Sequence, residues 1–193
     1  MNMQQKSLQT PKRLTASLIA AVTLLSTCSS AAPKAVDPCQ TIKPEDATRL
    51  IAAGLQQKAS QEPLSDGTIK YTCTYFPKGF DLGGETLPTM FLGLSVVVAA
   101  NRAAAQKGWQ KNLEFLPLLA EGFEGGKFES IKGFGDVANA IAGTKPKQKP
   151  VLRIAMLNAL KGTTFVQVMA WKPTQNPLET TKTVSKLVLS RLP

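Results

Sequence analysis

The chain contains no histidine. Without imidazole there is no Ser–His–Asp triad, no Cys–His dyad and no His-ligated zinc or haem. Three cysteines are too few for an all-Cys zinc site. Asp, Glu, Lys or Ser–Lys chemistry stays open, but the usual general base near neutral pH is missing. The expectation is a protein that is not an enzyme and carries no metal and no cofactor. Aromatic residues are scarce at 6%, so a core has to rest on Val, Leu, Ile, Ala and Met. Acidic residues are outnumbered, 13 against 23 Lys and Arg, for a net charge of +10. Such a surface suits anionic lipid headgroups or nucleic acid. For an exported chain lipid or cell wall is the readier partner, nucleic acid is not expected, and plain solvated lysines are the simplest account.

No apolar run reaches the roughly 20 residues of a spanning helix. What is there instead is a short run, 14–26, "LTASLIAAVTLLS", preceded by Lys6, Lys12 and Arg13 with no acid among them. A basic start and a short uncharged apolar stretch fit a secretory signal. Lys12-Arg13 is no twin arginine, which favours the general secretion route. Leu25, Ser26 and Thr27 lead into Cys28. This order resembles the bacterial lipobox, in which the cysteine thiol receives a diacylglyceryl group and becomes the new N-terminus. Thr27 departs from the Gly, Ala or Ser usual at that place. Conventional cleavage near "SSAA", 29–32, is the alternative, disfavoured by Pro33. Two or more acyl chains would hold the protein stably at a membrane. The small, Pro-containing stretch after Cys28 reads as a tether. The expected layout is a signal peptide at 1–27, a tether at 28–38 and one globular domain at 39–193.

Export implies an oxidising compartment, so Cys39 and Cys73 are candidates for a disulfide. With Cys28 lipidated, no thiol would be left over. Two separate buried thiols are the alternative. The spacing is not Cys-x-x-Cys, so a thioredoxin-like redox role has no support.

In the globular part, 41–57 reads as a helix, with Pro44 at its first position, Glu45 and Asp46 on its positive end, and Ala47, Leu50, Ile51 and Leu55 as an apolar stripe. A turn is expected over 60–67. Ile69, Tyr71, Cys73 and Tyr75 alternate with polar residues, which predicts a strand with Cys73 on its apolar face. The run 90–100 predicts a strand buried on both faces. Residues 101–116 predict a helix with Ala105, Trp109, Leu113 and Leu116 on one stripe, ended by Pro117. Short strands are expected near 128–131 and 137–141, a basic loop at 144–150, and a hairpin of 151–160 and 163–171. Asn176, Pro177 and Glu179 form a helix-start signature for a last helix to about residue 190. This order predicts an α+β fold with a mainly antiparallel sheet covered by helices.

Asp37-Pro38-Cys39, the acidic opening "KPEDA" and a second cysteine some thirty residues on, together with "IKGFGDVA" at 131–138 and the Lys-Gly turn of "LKGTTFVQV", resemble a family of bacterial exported lipoproteins of unknown function, abundant in actinobacteria. The resemblance covers most of 28–193. It departs at Lys43, where the family has a capping Thr. It implies a PsbP-like fold, an antiparallel sheet sandwiched by helices, and no particular activity.

"GFGD", 133–136, lacks the Lys-Ser or Lys-Thr of a phosphate loop and reads as a tight turn with Asp136 bonding the backbone. "KPKQK", 145–149, reads as an exposed loop, with contact to anionic lipid as the alternative. Trp109 and Trp171 read as core or pocket lining. The function expected is a membrane-anchored envelope lipoprotein that binds a protein partner or an apolar ligand. A large apolar cavity lined by Trp109 or Phe165 would favour the ligand, and a filled core with an exposed apolar patch the protein partner. The alternatives are a carboxylate-based hydrolase or transferase, which needs a cleft with two converging acids, and an anionic-lipid or cell-wall adhesion module.

Overall fold

A computed structural model describes residues 36–66, 68–80, 88–145, 151–172 and 176–192. Cys28, the leader and most of the tether lie outside these, as do 146–150 of the basic loop.

The elements run α1 (Pro38–Thr41), α2 (Pro44–Leu50), β1 (Leu55–Pro63), β2 (Ile69–Pro77), β3 (Phe91–Val98), α3 (Arg102–Glu121), β4 (Glu124–Ile131), β5 (Val137–Lys145), β6 (Leu152–Lys161), β7 (Thr164–Lys172) and α4 (Pro177–Arg191). The seven strands form one sheet in the order β1-β2-β3-β7-β6-β5-β4, with every neighbouring pair antiparallel. The α+β class, the strands β2 to β7 and the closing hairpin are as the sequence predicts.

Side chains on one sheet face, among them Cys73, Leu94, Val166, Val168 and Leu157, pack with Val184, Val188 and Leu189 of α4 in the main core. The alternate positions face α3. Leu116 and Ala120 of α3 pack on Ile141 and Met156, while Ala105 and Trp109 pack on Leu160 and Phe165. Between these two apolar contacts runs a polar row. Register places Ser60, Thr72, Ser95, Gln167, Asn158, Asn139 and Ser130 side by side across all seven strands. Thr72 and Ser95 hydroxyls lie 3.1 Å apart, Gln167 Nε2 donates to Asn158 Oδ1 at 2.9 Å, and Asn158 Nδ2 donates to Asn139 Oδ1 at 3.0 Å.

Three expectations are corrected. The first long helix stops at Leu50, and the residues expected to be its last turn and the following turn segment form β1. Gly54, at φ 74°, sits between the two elements in a conformation that glycine alone adopts freely. β1 hides from pattern reading because it is an edge strand, mostly exposed and rich in Gln and Lys. Pro117 does not end α3, which continues to Glu121. Pro117 faces solvent, where water can take the carbonyl it leaves without a donor, and burial of Leu116 and Ala120 offsets a cost of about 3 kcal/mol. β4 and β5 are longer than expected, so Thr144 and Lys145 belong to β5 rather than to a basic loop.

The Asp-Pro-Cys start has a local structural account. Asp37 Oδ1 accepts from Cys39 N at 2.9 Å, Pro38 opens α1, and Cys39 forms a disulfide with Cys73 in the middle of β2. The Tyr75 hydroxyl, on the same strand face, donates to the Ile42 carbonyl. Arg191 at the end of α4 donates to the Thr41 carbonyl and pairs with Asp46 at 3.2 Å. Burial alone would raise the Asp46 carboxyl, but hydrogen bonds from Arg191 and the Lys43 N–H, with the charges of Arg191 and Arg49, leave it below its usual value.

Candidate functional site

Trp109 and Phe165 both border one pocket. A pocket of about 220 Å³ lies between the first half of α3 and the sheet. Val97 and Ala99 at the end of β3 and Phe165 at the start of β7 line its sheet side. The Ala99 N–H donates to Thr163 O at 2.9 Å, tying the end of β3 to the β6–β7 turn beneath it.

α3 supplies Ala104, Ala105, Gly108, Trp109 and Asn112. The helix starts where it does because Asn101 Oδ1 accepts from Ala104 N at 2.9 Å. Trp109 is 7% exposed, and its ring lies 6.1 Å from that of Phe165 with the planes tilted by 58°. Gly108 is among the residues that border the space. A Cβ built there would meet nothing within 4 Å. Glycine inside a helix costs about 1 kcal/mol relative to alanine, and here that cost coincides with a cavity.

The rim is the β1–β2 turn, which brings in Leu64, Asp66 and Thr68. Leu64 N donates to Thr68 O at 2.8 Å and closes the turn. Asp66 Oδ1 accepts from the Thr68 hydroxyl at 2.6 Å and from Thr68 N at 3.0 Å. The Thr68 hydroxyl, then the Thr68 N–H, hold this carboxyl below its usual value against a small opposing effect of burial, with a lesser contribution from Lys111. The sequence reading assigned 60–67 to a turn and drew no role from Asp66, and it missed Gly108. The one available signal was a glycine between Ala105 and Trp109 on a helical stripe.

On its other side Trp109 borders a crevice of about 490 Å³ against the loop from Ser130 to Asn139. The loop itself is built as a turn, as the sequence predicts. Asp136 N donates to Leu160 O at 2.7 Å and Asp136 Oδ2 accepts from Gly162 N at 3.0 Å. Phe134 is buried in the core beneath Lys186. Lys161, beside that turn, donates to Leu189 O at 3.0 Å at the end of α4. The two glycine motifs of the sequence therefore meet and brace one another. Trp171 is core: it stacks on Phe91 at 4.0 Å between ring centroids and donates to Pro88 O at 2.6 Å. Glu45 and Asp46 stay in the first turn of α2, away from the pocket lining. Among the described residues there is no group of three or more Cys, Asp and Glu arranged to hold a metal ion, and no helix long and apolar enough to cross a membrane.

No protein-family model matches the chain, and no curated protein matches it. Among solved structures it is similar to the extracellular domain of PknH from Mycobacterium tuberculosis, with a TM-score of 0.50 and 8% identity, over 77% of this chain and 90% of that one. At that identity the likeness is one of fold.

Proposed function

We propose that the chain is an exported lipoprotein, anchored to a membrane through Cys28, whose domain is a non-enzymatic binding module for a small apolar group held in the Trp109–Phe165 pocket. The observation that carries this reading is the pocket itself, a largely apolar space bordered by two aromatic side chains and by Gly108. Its volume of about 220 Å³ is below the roughly 300–1,000 Å³ common for drug-sized ligands. It suits a ring or a short branched chain and is too small for a diacyl lipid. One carboxylate, Asp66, lines it, whereas acid–base hydrolysis by paired acids needs two. The finer PsbP-like affiliation, implied by the lipoprotein resemblance, belongs with this proposal and is consistent with an antiparallel sheet flanked by helices.

The chain has two tryptophans. In a Trp171→Phe background Trp109 is therefore the single tryptophan, and Gly108→Leu separates the pocket from the crevice on the other side of its ring. Toluene and short branched alcohols should change that emission saturably in the parent and not in Gly108→Leu. No saturable change with any of them would sink the pocket reading. The anchor is tested separately: Cys28→Ala should release the protein from membranes, and a variant that stays membrane-bound refutes lipidation at that site.

Phe115 and Leu118, 58% and 63% exposed on α3, support a second reading in which a protein partner docks there. A photo-crosslinker at Leu118 should then capture one discrete protein in the native envelope, and random capture would argue against it.

A further inference from the structure

The pocket has a charge character that its apolar walls do not require. The protein as a whole is strongly basic, at +10. Yet among the described residues that line the pocket there is one charged side chain, Asp66, and no Lys or Arg. The turn positions the carboxylate: Thr68 holds Oδ1 through both its hydroxyl and its N–H, and Asp66 is exposed, with no donor to Oδ2 among the described residues. Asn112 adds a second polar group to the same lining. Trp109 and Phe165 are tilted by 58°, so their two ring planes form a corner rather than a stack.

Two tilted aromatic rings, a half-open apolar cleft of this volume and an exposed carboxylate at its rim match one ligand chemistry. Ring faces carry negative quadrupole charge and attract a cation whose own surface is greasy. A hydrated metal ion or a bare ammonium would lose too much hydration in such a space. An alkylated ammonium loses less, because its charge is spread over methyl groups that also fill an apolar cleft. We propose that the pocket recognises a small organic cation of the alkylammonium class, with the alkyl groups against Trp109, Phe165 and Val97 and the charge compensated by Asp66. Lys111 lies close enough to act on Asp66 but is not among the lining residues, so it tempers the attraction without occupying the site. The inference rests on the pocket reading above and specifies its ligand.

The experiment compares choline with its neutral carbon isostere, in which a tert-butyl group replaces trimethylammonium. Both are titrated into the full chain carrying Trp171→Phe, with Trp109 fluorescence and calorimetry as readouts. Choline should bind about tenfold more tightly than the isostere, and Asp66→Asn, which can still accept from Thr68, should remove most of that preference. Added salt should weaken choline and leave the isostere unchanged. Equal binding of the two compounds, or a preference that survives in Asp66→Asn, overturns the cation assignment while leaving the apolar pocket in place. Binding of neither overturns both.

Discussion

Asp136 Oδ2 accepts a hydrogen bond from Gly162 N at 3.0 Å, so the glycine loop before β5 is fastened to the turn of the β6–β7 hairpin. The two residues lie far apart in sequence, in the "IKGFGDVA" and "LKGTTFVQV" stretches. Their contact turns a pair of short motifs into one structural device. Gly135, at φ 67°, lets the loop approach so closely that a Cβ there would lie 2.5 Å from Leu160 O. Asp136→Ala should cost about 1 kcal/mol of stability, and Gly135→Ala should cost more, at least about 2 kcal/mol. Urea unfolding measures both. Ligand titration should find the Trp109–Phe165 pocket intact in the Asp136 variant, and a lost pocket would mean that the loop does more than brace the sheet.

Gly108 separates stability from binding. Gly108→Ala should raise stability by about 1 kcal/mol, since the helix gains propensity and the new methyl meets open space. Gly108→Leu should fill the pocket and abolish binding while the domain stays folded. Thermal melts and pocket titrations of the two variants decide this. A destabilised alanine variant would contradict the open space beside α3.

The disulfide joins a four-residue helix to the centre of a strand across 34 residues. Replacing Cys39 and Cys73 together by serine should cost about 3–4 kcal/mol. Hydrogen exchange should show the loss first in α1 and at Ile42, before the β6–β7 hairpin. Uniform loss across the sheet would count against a local clamp.

Tyr75 predicts an alkaline transition. Burial, with smaller contributions from Asp46, Asp37 and Glu45, pushes its phenol up from 10.0 to about 12. The folded state therefore keeps a proton that the unfolded state releases. Its stabilising contribution is full below pH 10 and is lost as pH rises toward 12, amounting to about 2–3 kcal/mol. Lys172, whose ammonium burial holds below its usual value, acts in the opposite sense. The difference between parent and Tyr75→Phe isolates the tyrosine. Parallel stability curves for the two from neutral pH to pH 11 would refute the assignment.

The polar row under α3 is vulnerable at its middle. Asn158 is fully buried and makes one hydrogen bond as donor and one as acceptor. Asn158→Leu leaves Asn139 and Gln167 without those partners and should cost about 2–4 kcal/mol. Asn139 Nδ2 already has no hydrogen-bond partner among the described residues, so Asn139→Leu should cost less. Chemical denaturation of both variants checks the order.

Much of the fold was legible because its strands carry strong patterns. β2 alternates through Tyr71, Cys73 and Tyr75, β3 is buried nearly throughout, and Asn176-Pro177 opens α4 with the Asn176 side chain accepting from Leu178 N at 3.0 Å. β1 was illegible for the converse reason. An edge strand gains its stability from backbone pairing with β2, and such pairing leaves no mark on side-chain composition. Of the candidate site, Trp109 and Phe165 were readable as large aromatics near apolar stripes. Asp66 and Gly108 were not, since one reads as an ordinary turn residue and the other as a helix defect.

By itself, then, the sequence determined the α+β class, the absence of histidine chemistry, the candidacy of Cys39 and Cys73 for a disulfide and the turn character of Gly133 to Asp136. Each of these is local or compositional: an alternation, a count, a short run with defined backbone needs. Only the tertiary structure decided that α3 meets the sheet through two apolar contacts separated by a polar row, that the glycine loop and hairpin turn clasp each other, and that Asp66 of the β1–β2 turn, Gly108 of α3 and two aromatic side chains border one pocket. Those relations join residues far apart in the chain, and they exist because packing, rather than propensity, brings an edge turn, a helix interior and two strand ends to one place.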